Sequence, residues 1–171
     1  MLIKLWTAFT QPFRQTPQPL PSFTVVMTAQ CREQLTAQLR ESVQKGHEGI
    51  VYFIGLTTGF TTLALSSMSP KVSATPGSVD VSAPELGKVS RFASLSGLQV
   101  VGQLHTHPRG AFHSDGDLTG MKIRHPGYCS IVVPDYGAQL PSLQDAHILM
   151  WTREGFREVE QPIIFFRGSE A

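Results

Sequence analysis

The strongest constraint on the fold of this chain lies between Val100 and Asp117, in the stretch VVGQLHTHPRGAFHSDGD. An apolar run closes on two histidines one residue apart, and Pro108 ends it. A short loop containing Gly110 then leads to Ser114-x-x-Asp117. The apolar run reads as a strand, and Ser-x-x-Asp reads as a helix start with a side-chain cap. Alternate side chains leave a strand from one face, so His105 and His107 aim two imidazoles at one point while Thr106 turns away. With Ser114 as the cap, Asp117 falls at the third helical position and can face the same point. Two imidazole nitrogens and a carboxylate suit a divalent zinc ion. Three protein ligands leave a fourth position for water, as in catalytic rather than structural sites. Singly, each piece is ordinary: His-x-His occurs on many surfaces, and any helix start needs a cap. Their combination points to an open zinc site.

Bulk properties narrow the classes. A chain of 171 residues can build one domain with a proper core and is short for two. Its 41% hydrophobic and 16% charged content is that of a soluble globular protein. A formal net charge of +1 supplies no field to attract nucleic acid or an anionic membrane, so neither is expected as a partner. No run approaches the length needed to span a bilayer. The start, MLIKLWTAFTQPF, lacks the apolar length and cleavage site of a signal peptide, so the cytoplasm is the expected location. Cys31 and Cys129 lie far apart in apolar contexts and read as buried free thiols in a reducing compartment, with a single disulfide as the alternative.

In chain order, residues 1–22 form a leader in which Pro12, Pro17, Pro19 and Pro21 favour an extended path. Residues 23–171 form the domain. Phe23 to Met27 reads as a strand, and Thr28 caps a helix through Lys45 with Cys31, Leu35 and Leu39 as its apolar stripe, Val43 continuing it, and Gly46 closing it. GIVYFIGL is a buried strand with Glu48 at its mouth; Thr58-Gly59 turns into an antiparallel partner, FTTLALSSM. Residues 69–84 read as a long surface loop with a short strand at SVDVS. Pro84 to Ser96 is a helix whose apolar side is Leu86, Val89, Phe92, Ala93 and Leu95. The histidine strand spans Gln99 to His107, and its following helix runs from Ser114 to about Arg124. Then come the strand YCSIVV, a second long loop from Pro134, the strand HILMWT, and one final edge strand in FREVEQPIIFF, where Pro162 fits an edge. Strands alternating with helices predict a single α/β domain with a mixed sheet flanked by helices.

Taken together with Glu48, the pattern resembles the JAMM (MPN-plus) metalloprotease family. That family's motif is an upstream Glu, then His-x-His-Pro, then Ser-x-x-Asp after a short loop. This chain offers Glu48, His105-Thr106-His107-Pro108 and Ser114-Asp115-Gly116-Asp117, with Glu48 seven residues before Gly55. The likeness covers roughly residues 24–152. Many members carry Cys-Gly two and three residues after the Glu, where Ile50 and Val51 stand here, and the loop from Pro108 to Ser114 is one residue shorter than in several relatives. His113 and Asp115 flank the motif but fall outside its pattern.

The resemblance implies a JAMM-like fold, akin to the cytidine-deaminase fold, and one catalytic Zn2+ held by His105, His107 and Asp117. It implies that Glu48 is the general base and then acid, and that Ser114 donates its hydroxyl to the oxyanion. The implied substrate is the peptide or isopeptide bond after the tail of a ubiquitin-like protein, as in bacterial stand-alone members that deconjugate ubiquitin-like proteins in antiphage systems or process sulfur carriers. A zinc nucleobase deaminase would need His-x-Glu and Pro-Cys-x-x-Cys, and there is no Cys-x-x-Cys here. DNA-repair-associated RadC proteins carry a similar pattern together with an extra N-terminal module. A non-catalytic interaction module is the remaining alternative, set against the presence of all five motif residues.

Overall fold

The computed structural model describes residues 23–59, 61–159 and 163–166. The leader expected over residues 1–22, and Pro162, lie outside them. Strand β1 (Thr24–Thr28) runs directly into helix α1 (Ala29–Lys45). The Thr28 hydroxyl accepts a hydrogen bond from the Cys31 amide at 3.1 Å, and Gly46, at φ 59°, closes the helix in the left-handed conformation that a Cβ disfavours. Cys31, Leu35 and Leu39 are the buried positions of α1, as their spacing predicts.

Strands β2 (Ile50–Thr58) and β3 (Thr61–Met68) form an antiparallel hairpin, and a smaller one, β4 (Ser73–Thr75) and β5 (Ser78–Asp80), follows. Helix α2 (Ala83–Leu95) leads to β6 (Gln99–Thr106), helix α3 (Asp115–Gly120) and β7 (Cys129–Val133). After a 3-10 turn at Asp135–Gly137 come β8 (His147–Thr152), β9 (Gly155–Glu158) and β10 (Ile164–Phe166). Eight strands make one mixed sheet in the order β10-β1-β3-β2-β6-β7-β8-β9. Strands β2 and β6 are central and buried along most of their length.

Each face of the sheet has its own core. Beneath α1 lie Val25, Met27, Leu35, Leu39, Val51, Phe53, Leu104 and Ile131. Against α2 and α3 lie Ile50, Tyr52, Ile54, Val89, Ala93, Met121 and Tyr128. Alternation along β2 produces this division, with Val51 and Phe53 on one face and Ile50 and Tyr52 on the other. Cys31 and Cys129 are buried free thiols, both pushed up to about 12 by burial. Among the described residues, no helix is long and apolar enough to cross a membrane.

Four expectations need correction. The helix after Ser114 ends at Gly120, not near Arg124; it buries none of its residues, so no apolar face extends it. Helix α2 buries only Val89 and Ala93, with Leu86 half-buried against the same core, leaving Phe92 50% and Leu95 77% exposed. The segment read as one edge strand divides into β9 and β10, which lie on opposite edges of the sheet. The loop at residues 69–84 holds a hairpin, whose second strand is the predicted one shortened to Ser78–Asp80.

Gly55 sits at a register shift between β2 and β3, where an added Cβ would lie 1.8 Å from the Leu63 carbonyl oxygen. Backbone cannot yield there as a side-chain tip can. Gly55→Ala is therefore expected to destabilise by roughly 3 kcal/mol. Gly87→Ala, in α2 with nothing within 4 Å, should stabilise by about 0.5–1 kcal/mol through helix propensity. Urea midpoints at unchanged m-value measure both; equal effects would contradict the close approach.

Candidate metal centre

Strands β6 and β7 run parallel, so their carboxyl ends lie side by side, the usual place for a site in an open α/β sheet. His105 stands opposite Ile50 across β6 and β2. That pairing continues past the end of β2. The Thr106 amide donates to the Gly49 carbonyl at 3.0 Å, and the Gly49 amide donates to the Thr106 hydroxyl at 2.9 Å. Two residues beyond Ile50 and His105, the same register sets Glu48 opposite His107. Opposed residues of an antiparallel pair share a face, so His105, His107 and Glu48 serve one site. All three are buried, Glu48 at 6% exposure.

The surrounding backbone is closely held. The His107 amide donates to the Val133 carbonyl at 2.9 Å, and the His107 carbonyl accepts from the Tyr136 amide at 2.7 Å. Asp135 and Tyr136 adopt φ of 51° and 54°, a left-handed pair of non-glycine residues whose conformation costs energy and clusters at functional sites. The Tyr136 hydroxyl donates to the Pro76 carbonyl at 3.0 Å, and the Glu48 amide donates to the Thr75 carbonyl at 3.0 Å. The β4–β5 hairpin is thereby fastened beside the site.

Helix α3 delivers the carboxylate. Ser114 is its N-cap in a complete capping box: the Asp117 amide donates to the Ser114 hydroxyl at 3.2 Å, and Asp117 Oδ2 accepts from the Ser114 amide at 2.7 Å. The Ser114 hydroxyl also donates to Asp117 Oδ2 at 2.8 Å, so in this state it serves to hold Asp117. The carboxylate then meets both rings, with His105 Nε2 3.2 Å from Oδ1 and His107 Nε2 3.3 Å from Oδ2. The two Nε2 atoms are 3.2 Å apart.

These spacings test the fit of a metal. A tetrahedral ion with bonds of about 2.0–2.1 Å keeps its ligand atoms ~3.3–3.4 Å from one another. The two Nε2 atoms are near that separation, each has one Asp117 oxygen at a similar distance, and one ligand atom from each of the three residues lies within 4.8 Å of the others. The residues present fit one divalent ion with His105, His107 and Asp117 as its protein ligands.

Electrostatics are those of a tightly coupled cluster. Burial alone would raise the Asp117 carboxyl, but hydrogen bonds from His105 and His107, with the Ser114 amide, outweigh it and hold it well below the usual carboxylate range. His107 is raised above its ordinary value, first by its hydrogen bond to Asp117. Glu48 moves the other way from Asp117. Burial raises its carboxyl, with His107 and His105 opposing and Asp117 reinforcing. No hydrogen bond reaches the Glu48 carboxylate among the described residues.

The structure adds a second row of groups behind the site that the motif pattern left out. His113 Nε2 lies 2.9 Å from the Ser130 hydroxyl and its Nδ1 2.8 Å from Nδ1 of His147. Burial, then the neighbouring His105 and His147, lower His113 to about 3, so it is a neutral strut. Its ring meets that of His105 edge-on at 5.9 Å. Asp115 is exposed and outside the cluster. The only sequence signal for His113 was its place next to Ser114; His147, heading a strand, gave none.

A raised His107 means that its proton stabilises the metal-free fold. That contribution is complete below the ordinary value of 6.5 and is lost as pH rises through the raised value. A metal must displace the proton, so affinity for Zn2+ is expected to rise with pH across this window. Calorimetry in buffers of different ionisation enthalpy should show about one proton released per ion near pH 6.5, and fewer at higher pH. His107→Ala should lose tight binding altogether. PH-independent binding, or a tightly loaded His107→Ala, would rule out this donor set.

No protein-family model matches the chain. A protein of Sinorhizobium fredii that bears the name probable metalloprotease is 28% identical over 120 residues, spanning 68% of this chain and 74% of its own length. Two solution structures share the fold. One, a protein from Desulfitobacterium hafniense, superposes with a TM-score of 0.65 at 16% identity, over 86% of this chain and 96% of that one. The other, from Salinibacter ruber, gives 0.56 at 17% identity, over 85% and 92%.

Proposed function

We propose that this protein is a zinc-dependent peptidase of the JAMM type, hydrolysing the peptide or isopeptide bond that follows the C-terminal tail of a ubiquitin-like protein. The observation that carries the proposal is the cluster of His105, His107 and Asp117, with ligand atoms within 4.8 Å of one another, beside the buried Glu48 whose proton affinity is raised. The Sinorhizobium relative supports the peptidase class.

His105, His107 and Asp117 would hold the zinc ion, which would supply Lewis acidity and make water a nucleophile near neutral pH. Glu48 acts as the proton carrier. Among the described residues its carboxylate is not tied up by hydrogen bonds, and burial raises its affinity for a proton. Glu48 therefore accepts the proton of the attacking water and returns it to the leaving amine. Ser114 has two parts with separate tasks. Its amide keeps Asp117 in place, while its hydroxyl turns from Asp117 to the oxyanion that develops on the substrate.

The tail of a ubiquitin-like protein would reach this point as an extended strand. Among the described residues strand β5 pairs only with β4, and its outer edge is the one we propose such a tail adds to. The β4–β5 hairpin is fastened beside Glu48, which would bring the end of the tail to the donors.

The test is cleavage of a ubiquitin-like domain bearing a C-terminal extension, with activity removed by a chelator and restored by Zn2+. Glu48→Gln is expected to keep metal and melting temperature while kcat falls about 10²- to 10⁴-fold. Ser114→Ala should lower kcat about 10²- to 10³-fold. Full turnover in Glu48→Gln would remove that residue from the mechanism, and turnover indifferent to chelation would remove the metal.

A further inference from the structure

Strands β9 and β10 are opposite edges of the eight-stranded sheet, yet the chain passes from Glu158 at the end of β9 to Ile164 at the start of β10. That stretch of chain reaches about 20 Å when fully extended. Crossing a flat sheet of this many strands would take about 33 Å. The sheet is therefore curled until its two edges face each other across a gap. A cavity of about 710 Å3 lies in that gap, with Ile148 of β8 and Phe165 of β10 both in its wall. Helix α1 and the segment from Gln139 to Ala146 contribute the rest of its described wall. Small-molecule sites have volumes of about 300–1,000 Å3, and the mouth of a barrel-like sheet is a usual place for one.

The surface of this cavity is more apolar than polar. Its floor is Leu143, Ile148 and Ile163, which are 9%, 6% and 8% exposed and belong to the core beneath α1. Gln139, Ser142 and Gln144 are exposed and so stand at the rim. Among the described residues of the wall, Arg32 alone is charged. Its guanidinium carbon lies 4.7 Å from the centre of the Phe165 ring, a cation–π contact that holds the group beside the cavity. Its Nε is buried without a hydrogen-bond partner among the described residues, a costly state for a charged donor. Arg32 also lies about one turn into α1, whose first turn carries no acidic residue. The positive end of the helix thus adds to the cation instead of offsetting it. An apolar floor beside an uncompensated guanidinium matches a ligand with an aliphatic body and one carboxylate, which arginine binds with strong, charge-assisted hydrogen bonds.

We propose that this cavity binds an aliphatic monocarboxylate of about octanoate length, with its chain on Leu143, Ile148 and Ile163 and its carboxylate on Arg32. The site shares no wall residue with the metal centre, so the proposal does not depend on the proposed peptidase activity. Each methylene moved from water onto the floor is worth roughly a factor of four in affinity.

The test is titration of the full chain, labelled at its isoleucine and leucine methyls, with octanoate, 1-octanol and butyrate, followed by NMR with and without Zn2+. Octanoate is expected to shift Leu143, Ile148 and Ile163 saturably and equally in both metal states. It should bind about 10-fold tighter than 1-octanol, through the carboxylate, and about 30- to 200-fold tighter than butyrate. Arg32→Gln should bring octanoate level with 1-octanol, and Ala146→Phe, which projects a ring into the cavity, should abolish binding of both. If Ala146→Phe does not fold, the comparison of the two octyl compounds in Arg32→Gln still decides. Equal affinity for octanoate and 1-octanol, or octanoate binding unchanged in Arg32→Gln, would overturn the site. So would shifts confined to Ile50 and appearing only with Zn2+, which would place the carboxylate at the metal centre instead.

Discussion

Strands β2 and β6 lie side by side at the middle of the sheet, with Ile50 opposite His105, and this pairing decides where each group of the site points. Side chains alternate faces along a strand, so a slip of one residue would turn a whole set to the other side. His105 and His107 would then enter the core beneath α1, and Leu104 would face the site. Burial on both faces prevents such a slip, since Val51 and Phe53 are needed on one side and Ile50 and Tyr52 on the other. The irregularity near Phe53 and Ile54 is confined to the far end of the pair. At the near end the register runs on through Gly49 and Thr106 to bring Glu48 level with His107.

A cluster of buried polar groups is costly unless its members satisfy one another. Asp117 shows how this is done, as its two oxygens engage the Ser114 amide and hydroxyl and both histidine rings. Glu48 has no comparable partners among the described residues, and its raised proton affinity follows first from burial. The same small region thus holds one carboxylate strongly ionised and another inclined to take up a proton. Such a division separates a ligand role from an acid–base role. Among the described residues His105 Nδ1 is buried without a hydrogen-bond partner, so the ring is held by its Nε2 contact with Asp117 and by packing against His107 and His113.

Local chemistry was legible in the sequence where it alone decides the outcome. Thr28 and Gly46 mark the ends of α1 because caps act within one turn, and Ser114 with Asp117 marks the start of α3 for the same reason. The i, i+2 spacing of His105 and His107 was enough to set their Nε2 atoms side by side. Tertiary context decided the rest. Nothing in the sequence around Phe92 and Leu95 says that the helix will dock through the smaller Val89 and Ala93. The segment FREVEQPIIFF reads as one edge strand from the alternation at its start, yet β9 and β10 lie on opposite edges of the sheet. His113, Ser130 and His147 come from three distant segments, and only the sheet order brings them behind His105. The placement of Glu48 came from a family resemblance, because one acid at a strand mouth carries no signal by itself.

The central claim is that His105, His107 and Asp117 bind one zinc ion. Anomalous scattering recorded on either side of the zinc absorption edge, from crystals of protein purified without added chelator, addresses it most directly. A single strong peak is expected within bonding distance of His105 Nε2, His107 Nε2 and an Asp117 carboxylate oxygen. A site empty of metal after zinc addition, or a peak centred instead between His113 and His147, would contradict it.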